Sequence, residues 1–259
     1  MSQKKQKSRK KIIGKVRYHK NFYSKFLDNE REIIVWLPSS YKKTDKKFPV
    51  LYMHDGQNII NPATAFAGID WQVDEASTKL IKENKIEEII IVGIYNTPDR
   101  LEEYSDSEKG NKYIQFIVSE LKPFIDSTYK TLTDKNNSAV MGSSMGGLIS
   151  FLIVWKYDDV FAKAACLSSS FYYDNEKVIE MIRQYDGAKK QLRLYIDHGE
   201  DGLPRGQKMF SELTQKGYVI GTDIDYFYAP GAQHNEAAWA ERLERPLIFL
   251  FGKDNNPPN

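Results

Sequence analysis

The sequence predicts an α/β fold: a mostly parallel central sheet that begins with antiparallel strands and carries helices on both faces. Three observations lead there. Short, nearly continuous apolar runs recur along the chain, and most are separated by stretches of helical pattern long enough for βαβ crossovers. The first two strand-like runs have no helix between them, which calls for an antiparallel start. At 259 residues, with 41% hydrophobic and 28% charged residues, the chain has the length and balance of one ordinary globular domain. That balance excludes a disordered chain, a collagen-like repeat and a small disulfide-stapled scaffold.

The elements follow in order. Gly14–His19 and Arg31–Pro38 read as the two early strands, with Ile33, Val35 and Leu37 alternating against Ile34 and Trp36. Phe48–Met53 is a short strand that runs into the turn-like His54-Asp55-Gly56-Gln57-Asn58. A helix is expected over Val73–Glu83, a fully buried strand over Glu88–Tyr95 and a helix over Tyr113–Ser127, with Ile114, Ile117 and Leu121 on one face. Strand Ser138–Gly142, helix Ser144–Tyr157 and strand Phe161–Leu167 come next. A further helix, strand Leu192–Asp197, helix Gly206–Lys216, strand Asp225–Tyr228 and helix Ala237–Phe251 complete the pattern. No repeat or composition break divides residues 12–252, so one domain is expected there, with a basic tail at 1–11 and a frayed end at 253–259.

Charge and composition narrow the function. Thirty-seven basic residues against 35 acidic ones leave a net charge of +2, which gives no global attraction to nucleic acid or membrane. No apolar run approaches the ~18–20 residues that span a bilayer. The tail carries Lys4, Lys5, Lys7, Arg9, Lys10 and Lys11 without an acid, but no apolar segment follows as in a signal peptide. Without interleaved aromatics it reads as a solvated arm rather than a nucleic-acid contact. Cys166 has no partner for an internal disulfide, which suits a reducing compartment. A cytoplasmic protein with no nucleic-acid or membrane partner is the expectation, and nothing in the pattern sets an oligomeric state.

The chemistry concentrates at Gly142-Ser143-Ser144-Met145-Gly146-Gly147, a G-x-S-x-G between a strand and a long apolar helix. Such a tight turn strains the central serine and lifts its Oγ clear of the sheet, at a helix N-terminus that favours developing negative charge. A glycine-rich turn of no function is the bland alternative. A phosphate loop is disfavoured, because neither G-x-x-x-x-G-K-[ST] nor G-x-G-x-x-G is present. Ser144 needs a base, and of the four histidines only His234 follows the last strand, where the order nucleophile, acid, histidine requires it. The acid should come from Asp197-His198-Gly199-Glu200-Asp201-Gly202. Asp201 is the first choice, since Gly199 and Gly202 free the chain to turn back, with Glu200 and then Asp197 as alternatives. For the oxyanion hole the expected donors are the N–H groups of Met145 and Gln57, with Gly56 allowing close backbone approach. His54-Asp55 and Asp197-His198 are too few and too poorly spaced for a metal site, and no metal or other cofactor is expected.

Several stretches together resemble a known family: YMHDGQN, DWQVDEA, VGIYNTPDR with EEY close behind, FIVSELKPFID, AVMGSSMGGLISF, FAKAACLSSSF and GAQHNEAAWAERLERPLIFLFG. They are similar to the enterochelin-esterase-like, esterase D-type esterases of the α/β-hydrolase superfamily, across residues 31–252. The resemblance implies an α/β-hydrolase fold, carboxylic-ester hydrolysis, Ser144 as nucleophile, His234 as base and a carboxylate from the loop after Asp197. There the chain departs from the family's G-x-x-D/E spacing, because Gly202 stands three places after Gly199. The implied substrates range from siderophore lactones to acetyl and feruloyl sugar esters. Phe66, Trp71 and Asn96 are the expected substrate-binding residues. The short stretch between Leu167 and Gln191 leaves no room for a large lid, which favours small soluble esters. An acyltransferase with the same triad and a non-catalytic binding protein on this fold are the competing readings.

Overall fold

The computed structural model describes residues 12–200 and 203–253. The expected basic tail at 1–11 and residues 254–259 lie outside them. Eight strands form one sheet: β1 (Lys15–Ser24), β2 (Asn29–Leu37), β3 (Val50–His54), β4 (Ile90–Ile94), β5 (Ser138–Ser143), β6 (Lys163–Leu167), β7 (Arg193–His198) and β8 (Ile224–Tyr228). Their spatial order is β1-β2-β4-β3-β5-β6-β7-β8. The β1–β2 and β2–β4 pairs are antiparallel, and every later pair is parallel. β1 extends past the expected His19 to Ser24, because a bulge between His19 and Phe22 resets the register and pairing resumes beyond it.

The alternation of side chains divides the core in two. Ile33, Val35, Val50, Tyr52, Val92, Val140 and Ile196 face one side, while Ile34, Trp36, Leu51, Met53, Ile91 and Met141 face the other. Over the first side lie α3 (Glu108–Gln115), α4 (Lys122–Thr128), α5 (Met145–Lys156), α6 (Tyr173–Gln184) and α7 (Leu203–Gln215). Helix α1 (Val73–Lys82), α8 (Glu236–Arg242) and α9 (Glu244–Phe251) cover the second. One further turn, α2 (Arg100–Glu103), follows β4. Every residue of α5 from Met145 to Trp155 is buried, as its all-round apolar sequence requires.

Two helices expected to be unbroken are interrupted, each shortly before a proline. The helix expected over 113–127 starts earlier, at an N-cap where Ser107 Oγ accepts the Gly110 N–H at 3.0 Å. It then widens into a π-type turn over Phe116–Leu121 just before Pro123, which has no N–H for the Ser119 carbonyl. The last helix, expected unbroken, divides at Leu243. Pro246 has no N–H to offer the Arg242 carbonyl, so the ladder lapses there.

Among the described residues, no helix is long and apolar enough to cross a membrane.

Candidate active site

Ser144 stands between β5 and α5 with φ 57° and ψ −123°, a backbone region that costs a non-glycine residue roughly 1–3 kcal/mol. Four backbone bonds hold it there. Its N–H donates to Leu167 O at 2.9 Å, and its carbonyl accepts from Gly147, Leu148 and Ser170 at 3.1, 3.2 and 3.0 Å. The glycines of the motif face each other across the turn: a Cβ on Gly142 would lie 2.6 Å from the Gly146 carbonyl carbon. Gly147 is needed too, since its Cβ would meet Ser169 Oγ at 2.1 Å. The Ser144 hydroxyl lies 3.2 Å from that of the buried Ser170. As the first residue of α5, Met145 has an N–H among those a helix leaves without an i−4 partner.

His234 lies on the loop between β8 and α8, with its ring edge-on to Trp239 at 5.1 Å. That loop is pressed against the one after β7: a Cβ on Gly199 would come 2.2 Å from Ala232 O, and the Glu200 N–H donates to the same carbonyl at 3.3 Å. Of the three candidate acids, Asp201 lies outside the described residues. The two alternatives hold other partners. Glu200 Oε1 accepts from Tyr228 OH at 2.6 Å and from the Gly231 N–H at 2.8 Å, bonds that lower its carboxyl below the usual range. Asp197 is fully buried and bidentate to Arg242, at 3.0 Å from Nε and 2.9 Å from Nη2, with the Ser168 N–H at 3.1 Å. Burial raises its carboxyl and Arg242 opposes the shift. It braces β7 against α8.

The turn after β3 supplies the opposite wall. Asp55 is left-handed (φ 56°, ψ 45°) and opens the turn Gly56–Asn58. Gly56 has a packing contact of its own: its Cβ would lie 2.5 Å from the Gly93 carbonyl carbon, so the missing side chain lets the turn pack on β4. Gln57 does reach the site. A cavity of about 420 Å³ is lined by Asp55, Gln57, Asn58, Phe66, Asn96, Arg100, Ser143, Ser144, His234, Glu236 and Trp239. It opens at the carboxyl ends of the strands, as expected for such a sheet.

The expected site residues Ser144, His234, Gln57, Phe66 and Asn96 therefore meet at one cavity. Phe66 stands at the rim, 93% exposed. Trp71 does not line the cavity. It is buried behind Trp239 at 5.6 Å between ring centres, so it supports the wall instead of forming it. Sequence reasoning missed Asn58, Arg100, Glu236 and Trp239. Each lies inside a stretch that carried the family resemblance, but only the packing of separate loops shows that they share a cavity.

Cys166, His54 and His198 are buried in the interior. Burial pushes the Cys166 thiol well up, away from the reactive thiolate. One acidic group, Asp70, Asp74 and Glu75, brings three carboxylates within 4.8 Å of one another, but Asp74 Oδ2 already accepts the Ile13 N–H at 2.7 Å.

Comparison with known proteins agrees with this architecture. The Esterase family model ("Putative esterase") matches residues 24–250. Uncharacterized protein YbbA of Bacillus subtilis is 22% identical over 250 residues, covering 87% of this chain and 94% of that protein. An endo-1,4-beta-xylanase/feruloyl esterase of Xylanibacter ruminicola is 26% identical over 238 residues, 89% of this chain and 30% of that protein. Among solved structures, a ferulic acid esterase superposes with a TM-score of 0.75 at 22% identity, covering 92% of this chain and 98% of the other. The enterobactin esterase of Shigella flexneri superposes with a TM-score of 0.76 at 17% identity, covering 91% and 58%. The chain belongs to the Esterase family, on an α/β-hydrolase-type fold.

Proposed function

We propose that the chain is a serine carboxylic-ester hydrolase that works through an acyl-enzyme on Ser144. The observation that carries this reading is the strained Ser144 backbone at a strand-to-helix turn, with His234 lining the same cavity. Ser144 Oγ attacks the ester carbonyl while His234 takes its proton. The Met145 and Gln57 N–H groups receive the oxyanion. His234 then returns the proton to the leaving alcohol, and water repeats the sequence on the acyl-enzyme to release the acid. Asp201 is the triad carboxylate of this reading, favoured because Glu200 and Asp197 are bound elsewhere.

The substrates are small soluble esters that enter an open cavity of this size. Acetyl, feruloyl-sugar and siderophore-type esters are the classes to compare, the last two prompted by the relatives' names. A fluorophosphonate probe followed by intact-mass and peptide analysis tests the nucleophile without knowledge of the substrate. Ser144 should be labelled in the wild type and nothing in Ser144→Ala. In an ester panel, Ser144→Ala and His234→Ala should each lose turnover by about 10³-fold or more while remaining folded. Substantial turnover by either folded variant removes this mechanism. Adding an acceptor alcohol distinguishes hydrolysis from acyl transfer by the product formed.

A further inference from the structure

The turn carrying the Gln57 donor is held by charged groups outside the triad. Asp55 takes up a left-handed conformation that L-residues avoid, and its carboxylate accepts three hydrogen bonds. Asn96 Nδ2 donates to Oδ1 at 2.6 Å, Arg100 Nε to Oδ1 at 2.7 Å, and Arg100 Nη2 to Oδ2 at 2.8 Å. The same segment reaches the donor residue itself, since the Asn96 N–H donates to Gln57 Oε1 at 3.2 Å. The Asp55 N–H meets Tyr104 OH at 3.3 Å, and the Arg100 guanidinium lies over the Tyr104 ring at 5.0 Å.

This segment is itself firmly anchored. Glu103, in α2, forms a fully buried ion pair with Arg31 of β2 at 2.7 Å, and Tyr104 is buried beside it. The Asp55 carboxylate also borders the nucleophile turn, for a Cβ on Gly146 would lie 3.5 Å from Oδ2. This carboxylate, bonded to Asn96 and Arg100, thus lies beside the Gly146 turn.

We propose that Arg100, assisted by Asn96, is a positioning residue for ester hydrolysis: it fixes Asp55 in its left-handed turn so that the Gln57 N–H faces the oxyanion, and it neutralises a carboxylate that would otherwise stand unpaired beside developing negative charge. This rests on the serine-esterase reading. Both effects act most strongly once the carbonyl becomes tetrahedral, so their loss falls on kcat rather than KM. An exposed ion pair would contribute little. Here the side chains are only 26% and 10% exposed, the geometry is bidentate and a third donor completes it, conditions under which such a pair imposes orientation.

The test compares wild type, Arg100→Gln and Arg100→Lys in three measurements: kcat and KM for 4-nitrophenyl acetate, the rate of Ser144 phosphonylation by a fluorophosphonate, and Tm. Arg100→Gln should lower kcat and the phosphonylation rate together by ~10–100-fold, with KM within about threefold. Arg100→Lys should fall between, since it restores the charge without the planar fork. If Arg100→Gln does not fold, Asn96→Ala removes one donor, leaves the ion pair, and should cost about fivefold in the same two rates. Rates within about threefold of wild type in the folded variants, or a loss confined to KM, would overturn the proposal. A folded wild type that the probe does not label at Ser144 overturns the esterase reading and this one with it, whereas labelling that is indifferent to Arg100 overturns this one alone.

Discussion

Glu200 illustrates how an acid can sit near the proposed base, His234, and still be occupied. Its carboxylate ties Tyr228 at the end of β8 to the Gly231 N–H, and so shapes the loop that presents His234. With Asp201 as the proposed triad acid, Asp201→Asn should cut kcat by ~10²–10⁴-fold in a folded protein, because the histidine would lose the partner assigned to fix its tautomer. Glu200→Gln should cost only about three- to tenfold, through a looser loop. Steady-state kinetics of the two variants checks the order, and a reversal would make Glu200 the acid. Glu236 suggests a second outcome. It lines the cavity, where Asn58 Nδ2 donates to its Oε1 at 3.3 Å, and Asp55 is already paired with Arg100. Among the described lining residues, the charge left over is then negative. Glu236→Gln should raise kcat/KM for a carboxylate-bearing ester about three- to tenfold relative to its neutral methyl counterpart, and an unchanged ratio would place that carboxylate away from the substrate. Ser144 and His234, which line one cavity, were legible as candidates because a local motif and chain order single them out. Arg100 and Glu236 were not, because their meaning depends on which loops meet.

At the scale of elements, the strands were the most readable feature. Buried parallel strands are written as apolar runs such as EEIIIVGIY, and the double alternation of β2 exposes its two faces directly. Helix ends and interruptions were less readable, since the turn before Pro123 and the break before Pro246 depend on which carbonyl loses its donor. Within the G-x-S-x-G turn, sequence treats the two outer glycines as equivalent, and the structure does not. A Cβ at Gly142 would strike immovable backbone at 2.6 Å, while one at Gly146 would meet His54 Cβ at 3.4 Å. Gly142→Ala should therefore destabilise the fold by about 1–3 kcal/mol and displace Ser144. Gly146→Ala should cost less on both counts. Urea unfolding and the fluorophosphonate labelling rate, measured on both variants, will rank them, and equal losses would mean that the turn relaxes around either methyl.

For the whole molecule, the core on the first face of the sheet ends near the site in a buried polar cluster that no sequence period announces. His54 lies in it at the end of β3, with Nδ1 2.9 Å from Tyr113 OH and its ring packed against both Tyr104 and Tyr113. Burial lowers its pKa from 6.5 to about 3; Asp55 opposes that shift, while Arg100 and Arg31 reinforce it. The folded protein thus holds a neutral ring that the unfolded chain would protonate. Above about pH 6.5 both states are neutral and nothing is lost. As pH falls below 6.5 the unfolded chain binds a proton that the folded chain refuses until about pH 3, so stability declines through that window. Between pH 6.5 and pH 5 this one ring should remove about 2 kcal/mol. His54→Gln has no such proton to gain, and although its stability at pH 7 should be lower, its decline on acidification should be shallower by that amount. Urea midpoints for both proteins at pH 7 and pH 5 give the difference, with the carboxylates common to both cancelling. Parallel losses would show that His54 is protonated in the folded protein at pH 5, and that the cluster beneath the turn after β3 is wetter than its packing implies.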